Sequence, residues 1–328
     1  MNFRKTLLVV LFILAWGFNS VAQASDTTDF EGAVNNDFQS IASFMNGPFV
    51  NSLGFFTGLG WDSTPTVYDL ALGPHFSLSV GAGADFIGLP NTNNLNLPYV
   101  SASSTLSLPS GIPLPYPVLN ARLGLVNGFD IGFRYTYLPE ISASNVAGNF
   151  TGWGLDLRYK LFDGAELPTV TLSTSFDSQS GSFSVNTANI SETGITYVDP
   201  NNGDTYNNAS LTGTSNYTLN WNTQTVGAKV TVGKSLGILY PFAGIGFQRN
   251  SGTVTSTVGG TFTANLNNVS QPPVTFNSAQ NSAGSPVVLE PAFTLGLKLG
   301  GGLGFEWLLL GESNGTDIAG STSFGLQF

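Results

Sequence analysis

Residues 129–137 read FDIGFRYTY. Phe129, Ile131, Phe133, Tyr135 and Tyr137 fall in one phase, and Asp130, Gly132, Arg134 and Thr136 in the other. A period of two marks a β-strand, whose successive side chains point to opposite faces. The same division recurs in HFSLSVGAGADF (75–86), WGLDLRYKL (153–161) and FTLGLKL (293–299). Between Trp221 and Val232 the apolar phase slips at about Thr225, for which a bulge is the expected cause. Ten alternating segments emerge, at roughly 66–87, 116–126, 129–138, 149–162, 168–185, 215–233, 238–250, 286–300, 303–312 and 317–328.

Composition says what the apolar faces meet. Charged residues make up 9% of the 328-residue chain, against about a quarter in a soluble domain. Beyond residue 24 no segment approaches the ~20 continuous apolar residues of a spanning helix. A chain this apolar without such a run suits strands that close on themselves in lipid. The expected fold is all-β: an antiparallel, up-and-down transmembrane β-barrel of about ten strands, within a range of about 8–14.

The connections agree. Asn127-Gly128 is a hairpin turn of the primed kind, and Asp163-Gly164, Gly233–Gly237 and Gly300–Gly302 are also short. Long loops are expected near 88–115, 186–214 and 251–285, either as loops or as strands continuing into outer hairpins. Tight turns at one end and long loops at the other are the pattern of a barrel inserted from the periplasm, and an even strand count puts both termini there.

The first residues fix the compartment. Arg4 and Lys5 precede an apolar run from Leu7 to Phe18 that closes on Ala22-Gln23-Ala24. Residues 1–24 read as a secretory signal peptide cleaved near Ala24. Losing Arg4 and Lys5 with it leaves 8 of the 10 basic residues against 20 acidic ones, which excludes a nucleic-acid partner. Residues 25–61 form a separate segment ahead of the barrel at 62–328. Thr28 to Glu31 fits a capping box, and Phe30, Val34, Phe38, Ile41 and Met45 follow at helical spacing, with Gly47-Pro48 expected to end the helix. This helix is either a plug in the barrel lumen or a periplasmic helix against the rim. Leu53 to Trp61 continues it or adds a strand.

The chain ends FGLQF, with Phe324, Leu326 and Phe328 at alternate positions. This ending resembles the C-terminal signature of bacterial outer-membrane β-barrels, which their assembly machinery recognises as an insertion signal. The resemblance implies an outer-membrane location, with outer-membrane lipid and that machinery as partners. The order of plug and barrel is similar to that of the long-chain fatty-acid transporters, whose barrels have more strands; it suggests a small hydrophobic ligand.

Charges that would face lipid at mid-depth cost roughly 2–4 kcal/mol each, so they are expected inside. Arg122, Arg134, Asp156, Arg158, Lys229 and Glu306 fall in the polar phase and form a candidate lumen constriction, as a salt-bridge network or a selective gate. His75 is the sole histidine and lies in the polar phase, which removes a multi-histidine metal site and weakens any Ser–His arrangement. No catalytic residue, metal ligand or cofactor site emerges, and no enzyme activity is expected. A small channel or transporter for a small or hydrophobic solute is the favoured function. The alternative is a non-porous structural or adhesive barrel acting through its outer loops.

Overall fold

The computed structural model describes residues 3–61, 76–88, 97–100, 111–143, 145–162, 167–201, 203–267, 274–285, 288–300 and 304–328. His75 lies outside the described residues. Helix α1 (Phe3–Thr57) is followed by strands β1 (Phe76–Gly88), β2 (Gly111–Gly124), β3 (Phe129–Ala143), β4 (Val146–Phe162), β5 (Thr169–Val198) and β6 (Thr205–Gly233). The chain continues with β7 (Leu239–Asn265), β8 (Val274–Gly284), β9 (Val288–Leu299), β10 (Gly304–Ser313) and β11 (Ile318–Gln327). All the strands belong to one antiparallel sheet. Ten of them, all but β8, close into a ring in which β7 joins β6 to β9 and β1 joins β2 to β11.

Closure is made by the two chain segments farthest apart. Phe76 and Phe328 exchange both backbone bonds, at 3.2 and 2.9 Å, and their rings stack at 6.4 Å. At the same end, Asn127 (φ 61°) and Gly128 (φ 77°) form the tight β2–β3 turn, a left-handed pair that asparagine and glycine tolerate.

The strands differ greatly in length. A tilted membrane strand needs about 9–11 residues. Strands β10 and β11 have 10 each, but β5, β6 and β7 have 30, 29 and 27. The stretches 186–214 and 251–285 are therefore largely sheet. Strands β5 and β6 meet at a turn near 199–204, and β8 pairs with the outer part of β7 from Val254↔Gly284 to Ala264↔Val274. The barrel stands in the membrane, and one side of its wall rises far beyond it.

Side-chain polarity reverses along these long strands. On β6, Val226, Ala228, Val230 and Val232 face outward near the turns, while Thr225, Lys229 and Thr231 face inward. Farther out, Asn216, Asn220 and Asn222 face outward, and Leu211, Tyr217, Leu219 and Trp221 are buried inside. No bulge causes the slip near Thr225. Pairing runs unbroken from Thr169↔Gly233 to Asn186↔Asn216 on one side and from Ser210↔Asn265 to Gly233↔Phe242 on the other. The pleat keeps its phase, and the surroundings change from lipid to water. Outside the bilayer the apolar face has to turn inward to be buried at all.

Helix α1 is what it is buried against. Phe30, Val34, Phe38, Ile41, Met45, Phe49, Leu53 and Phe56 follow each other at three- and four-residue steps, all at most 2% exposed. Phe38 stacks on Phe262 at 4.7 Å, Phe49 on Tyr217 at 6.2 Å, and Phe30 meets Tyr197 at 4.9 Å. The helix does not stop at Gly47-Pro48; the stripe continues through Phe49 and Leu53, and α1 runs on to Thr57. With the first 24 residues still attached, Thr28 lies within α1 rather than at its first residue. Residues Leu53–Thr57 continue the helix rather than adding a strand.

The direction of α1 was also not expected. The Asn201 side chain, in the β5–β6 turn, donates to Asp29 at 2.5 Å, whereas Thr57 lies deep in the ring beside Arg134. The helix enters from the hairpin tips and descends, so its N-terminal part lies at the end opposite Phe328. No helix among the described residues is long and apolar enough to cross a membrane.

Candidate functional site

The lumen is blocked where α1 ends. Gly58 N–H donates to Phe55 O at 3.0 Å and Leu59 N–H to Phe56 O at 3.3 Å, closing the last turn, and Gly60 (φ 83°) turns the chain out of it. The carbonyls at a helix C-terminus carry partial negative charge. Arg134 of β3 answers it by donating to Thr57 O at 2.5 Å while pairing with Asp177 of β5 at 2.6 Å. The Trp61 indole N–H reaches both Asp177 oxygens, at 3.0 and 3.1 Å. Its ring lies 5.2 Å from the Arg134 guanidinium and 5.8 Å from that of Arg122.

A second layer lies toward the turns. Arg122 donates to Asp130 at 3.0 Å and to Asp156 at 2.8 Å. Arg158 grips Asp130 with two bonds, at 2.9 and 2.6 Å. Neutral space for these groups comes from glycine. A Cβ on Gly132 would come within 1.9 Å of Asp156 Oδ1, and one on Gly154 within 2.0 Å of Asp177 Oδ1. Both glycines occupy the inward phase of their strands, a clue the sequence carried.

The structure thus brings Arg122, Arg134, Asp156 and Arg158 to one side of the lumen. Lys229 borders the same cavity as Asp156 and Arg158 but takes a separate partner, and Glu306 lies elsewhere. Lys229 pairs with Glu312 at 3.3 Å, and Glu306 with Lys298 at 2.5 Å and with the Gln327 amide. The partners Asp130, Asp177, Glu312 and Lys298, and the stopper Trp61, complete the network. Buried charges this closely paired are costly to break on one side only.

Polar groups of the wall also hold the helix. Thr225 donates to Gly54 O at 3.0 Å, the Thr57 and Thr223 hydroxyls share a bond of 2.6 Å, and Gly60 N–H donates to Glu312 at 3.0 Å. Beneath the helix end remains a cavity of about 50 Å³, bordered by Trp61, Asp156, Arg158 and Lys229. It has room for about one or two water molecules. Among the described residues no cluster of His, Cys, Asp and Glu is arranged to hold a metal ion.

At its outer end α1 is tied to the segment before β2. One Asp37 oxygen accepts from the backbone N–H groups of Tyr99 (2.8 Å) and Val100 (3.0 Å). Burial raises the Asp37 pKa above the usual 3.8, opposed by these two bonds.

Several solved barrels are similar to this chain. The translocator domain of the autotransporter NalP from Neisseria meningitidis is 10% identical, covering 79% of this chain and 90% of its own, with a TM-score of 0.31. The KdgM porin is 7% identical over 77% and 99%, with a TM-score of 0.30. The Ralstonia pickettii toluene transporter TbuX is 11% identical over 88% and 95%, with a TM-score of 0.29. These values are too low to carry any residue's role across. No curated protein matches the sequence. A family model matches residues 87–299, about two-thirds of the chain, and the chain belongs to the family it describes, a family of unknown function (DUF6588).

Proposed function

We propose that the protein is a plugged transporter of the bacterial outer membrane that moves a small hydrophobic solute, with α1 as its resting stopper. The observation that carries this reading is the contrast inside one lumen. Apolar side chains of the wall pack directly on the helix above, and a constriction of paired charges, closed by Trp61, lies below. A purely structural barrel has no need of a separate element seated by side chains that can release it. Helix and wall meet through apolar packing and a few polar anchors, so the plug can shift without unmaking the ring. The lipid-facing residues would sit in outer-membrane lipid, and Phe324, Leu326 and Phe328 would be the handle for the assembly machinery. The reading includes no catalytic step.

Uptake of a radiolabelled small hydrocarbon by cells with and without the protein tests it. Uptake is expected to rise with the protein and to rise again when Trp61→Ala and Arg134→Ala loosen the stopper. Equal uptake in all three strains would overturn the reading. The surface-barrel alternative draws its support from the wall of β5–β8 rising beyond the membrane, and it expects those equal rates.

A further inference from the structure

The ring is not zipped evenly. Strands β1 and β2 pair along their whole length, up to Gly88↔Gly111, and β3 and β4 pair up to Ala143↔Val146. Strands β2 and β3 pair only from Gly124↔Asp130 to Leu119↔Tyr135. Beyond that point residues 111–118 and 136–143 share no ladder among the described residues. The cause is in the sequence. Leu125 N–H donates across to Phe129 O at 2.8 Å, so backbone nitrogens at odd-numbered positions of β2 face β3. Positions 113, 115 and 117 are all proline, which has no N–H to give. Three successive donors are missing on that edge, and only on that edge.

A cavity of about 160 Å³ lies beside this seam, bordered by Leu114, Leu138, Ile141, Phe150, Phe183 and Trp221. Apolar cavities of about 150 Å³ stay dry and take up a molecule as small as benzene. Its depth follows from strand geometry. An apolar band about 25 Å tall corresponds to roughly ten residues of a tilted strand. Ten residues from Phe129 end at Leu138, which lies on one ladder row with Phe150, Gly181 and Trp221, so the seam opens at the outer edge of the band. On the lumen side, Phe56 of α1 stands edge-on to Tyr116 at 5.7 Å and to Phe150 at 5.3 Å.

We propose that the β2–β3 seam is a binding site for a hydrocarbon chain entering sideways from the surrounding bilayer, with Phe56 as its inner stop. Its occupant is set by its position: Tyr137 faces outward at its inner end, just beyond the lipid-facing Leu119↔Tyr135 pair, so what lies against that end is lipid, while Glu140 and Ser142 mark the water side. A chain leaving lipid for this cavity gains little from hydration, so occupancy rests on close packing and on the abundance of chains in the membrane. The purpose of the site, as the place where an apolar solute crosses the wall, rests on the transport reading; binding there does not.

Trp221 lines the cavity and serves as the reporter. Trp153→Phe and Trp307→Phe remove the lipid-facing indoles, and the protein is placed in phosphatidylcholine vesicles with chains brominated at mid-length. The emission of Trp221, identified by its loss in Trp221→Phe, is expected to be quenched. Pro115→Thr with Pro117→Thr restores two donors toward β3 and is expected to abolish the quenching without lowering the unfolding midpoint. Gly148→Val fills the cavity from β4 and gives the same reading should the first variant fail to fold. An unquenched Trp221 in the parent, or equal quenching after filling or sealing, overturns the site. Quenching without hydrocarbon uptake upholds the site and overturns transport; uptake without quenching does the reverse.

Discussion

One strand passes through two solvents in this molecule. Between Val226 and Val232, β6 turns valine and alanine outward and lysine and threonine inward; between Leu211 and Asn222 it does the opposite. Trp221 is 5% exposed and Val226 52%, although they are five residues apart on an unbroken ladder. In lipid the costly act is to expose a charge, so the lower barrel is held by what it hides from the bilayer. In water the costly act is to expose an apolar face, so the upper wall is held by the helix it hides. Polarity alone does not identify the inside of a barrel strand; polarity together with depth does.

Removing the key group of each region should produce the largest effects. Phe38→Ala empties the helix–wall contact above and is expected to cost about 3–5 kcal/mol. Asp130→Ala strips the carboxylate shared by Arg122 and Arg158 below, with an expected cost of about 3–5 kcal/mol. Urea titration of the vesicle-inserted protein measures both. If the halves differ as described, protease will release the helix region first in Phe38→Ala, whereas Asp130→Ala will weaken the ring itself.

A matched pair on β6 gives the next effect. Val230→Arg puts a cation against the hydrocarbon and is expected to cost about 2–4 kcal/mol. Asn220→Arg makes the same change on the same face of the same strand, in water, and should stay within about 0.5 kcal/mol. Equal costs in the same titration would erase the proposed waterline between Val226 and Asn222.

The smallest effect belongs to Asp37. Its carboxyl is held above 3.8 by burial, so between the unfolded and folded values the folded protein binds more protons than the unfolded one. The seat of the helix is therefore firmest below about pH 4 and weakens as the pH rises through the raised value, with no further change above it. Asp37→Asn keeps an acceptor for Tyr99 and Val100 and should flatten this slope in proteolysis measured from pH 4 to pH 7.

The lower half was largely legible in the sequence because lipid imposes a strict rule on charge. Arg122, Arg134, Asp156 and Arg158 announced their direction by phase alone, and the ten ring strands by alternation. Which acid each would meet was not legible, since the pairings cross between strands whose side chains reach different heights. Lys229 and Glu306 share the inward phase with the others yet face different neighbours. The upper half misled for the opposite reason. Trp221 and Thr223 kept the pleat while exchanging roles, and without a register this resembles a bulge. Gly47-Pro48 looked like the end of a helix, but Phe49, Leu53 and Phe56 carried the stripe onward, and the sheet around them outweighed a local breaker.

The unbroken β5–β6–β7 pairing has a mechanical consequence. With no bulge or hinge where bilayer gives way to solvent, the raised wall is a cantilever clamped by the membrane, and a pull on its tip is passed directly to the embedded rim. Amide protons along β6 should accordingly show no sudden step in deuterium uptake at the surface, only a gradual fraying toward the turn near residue 200.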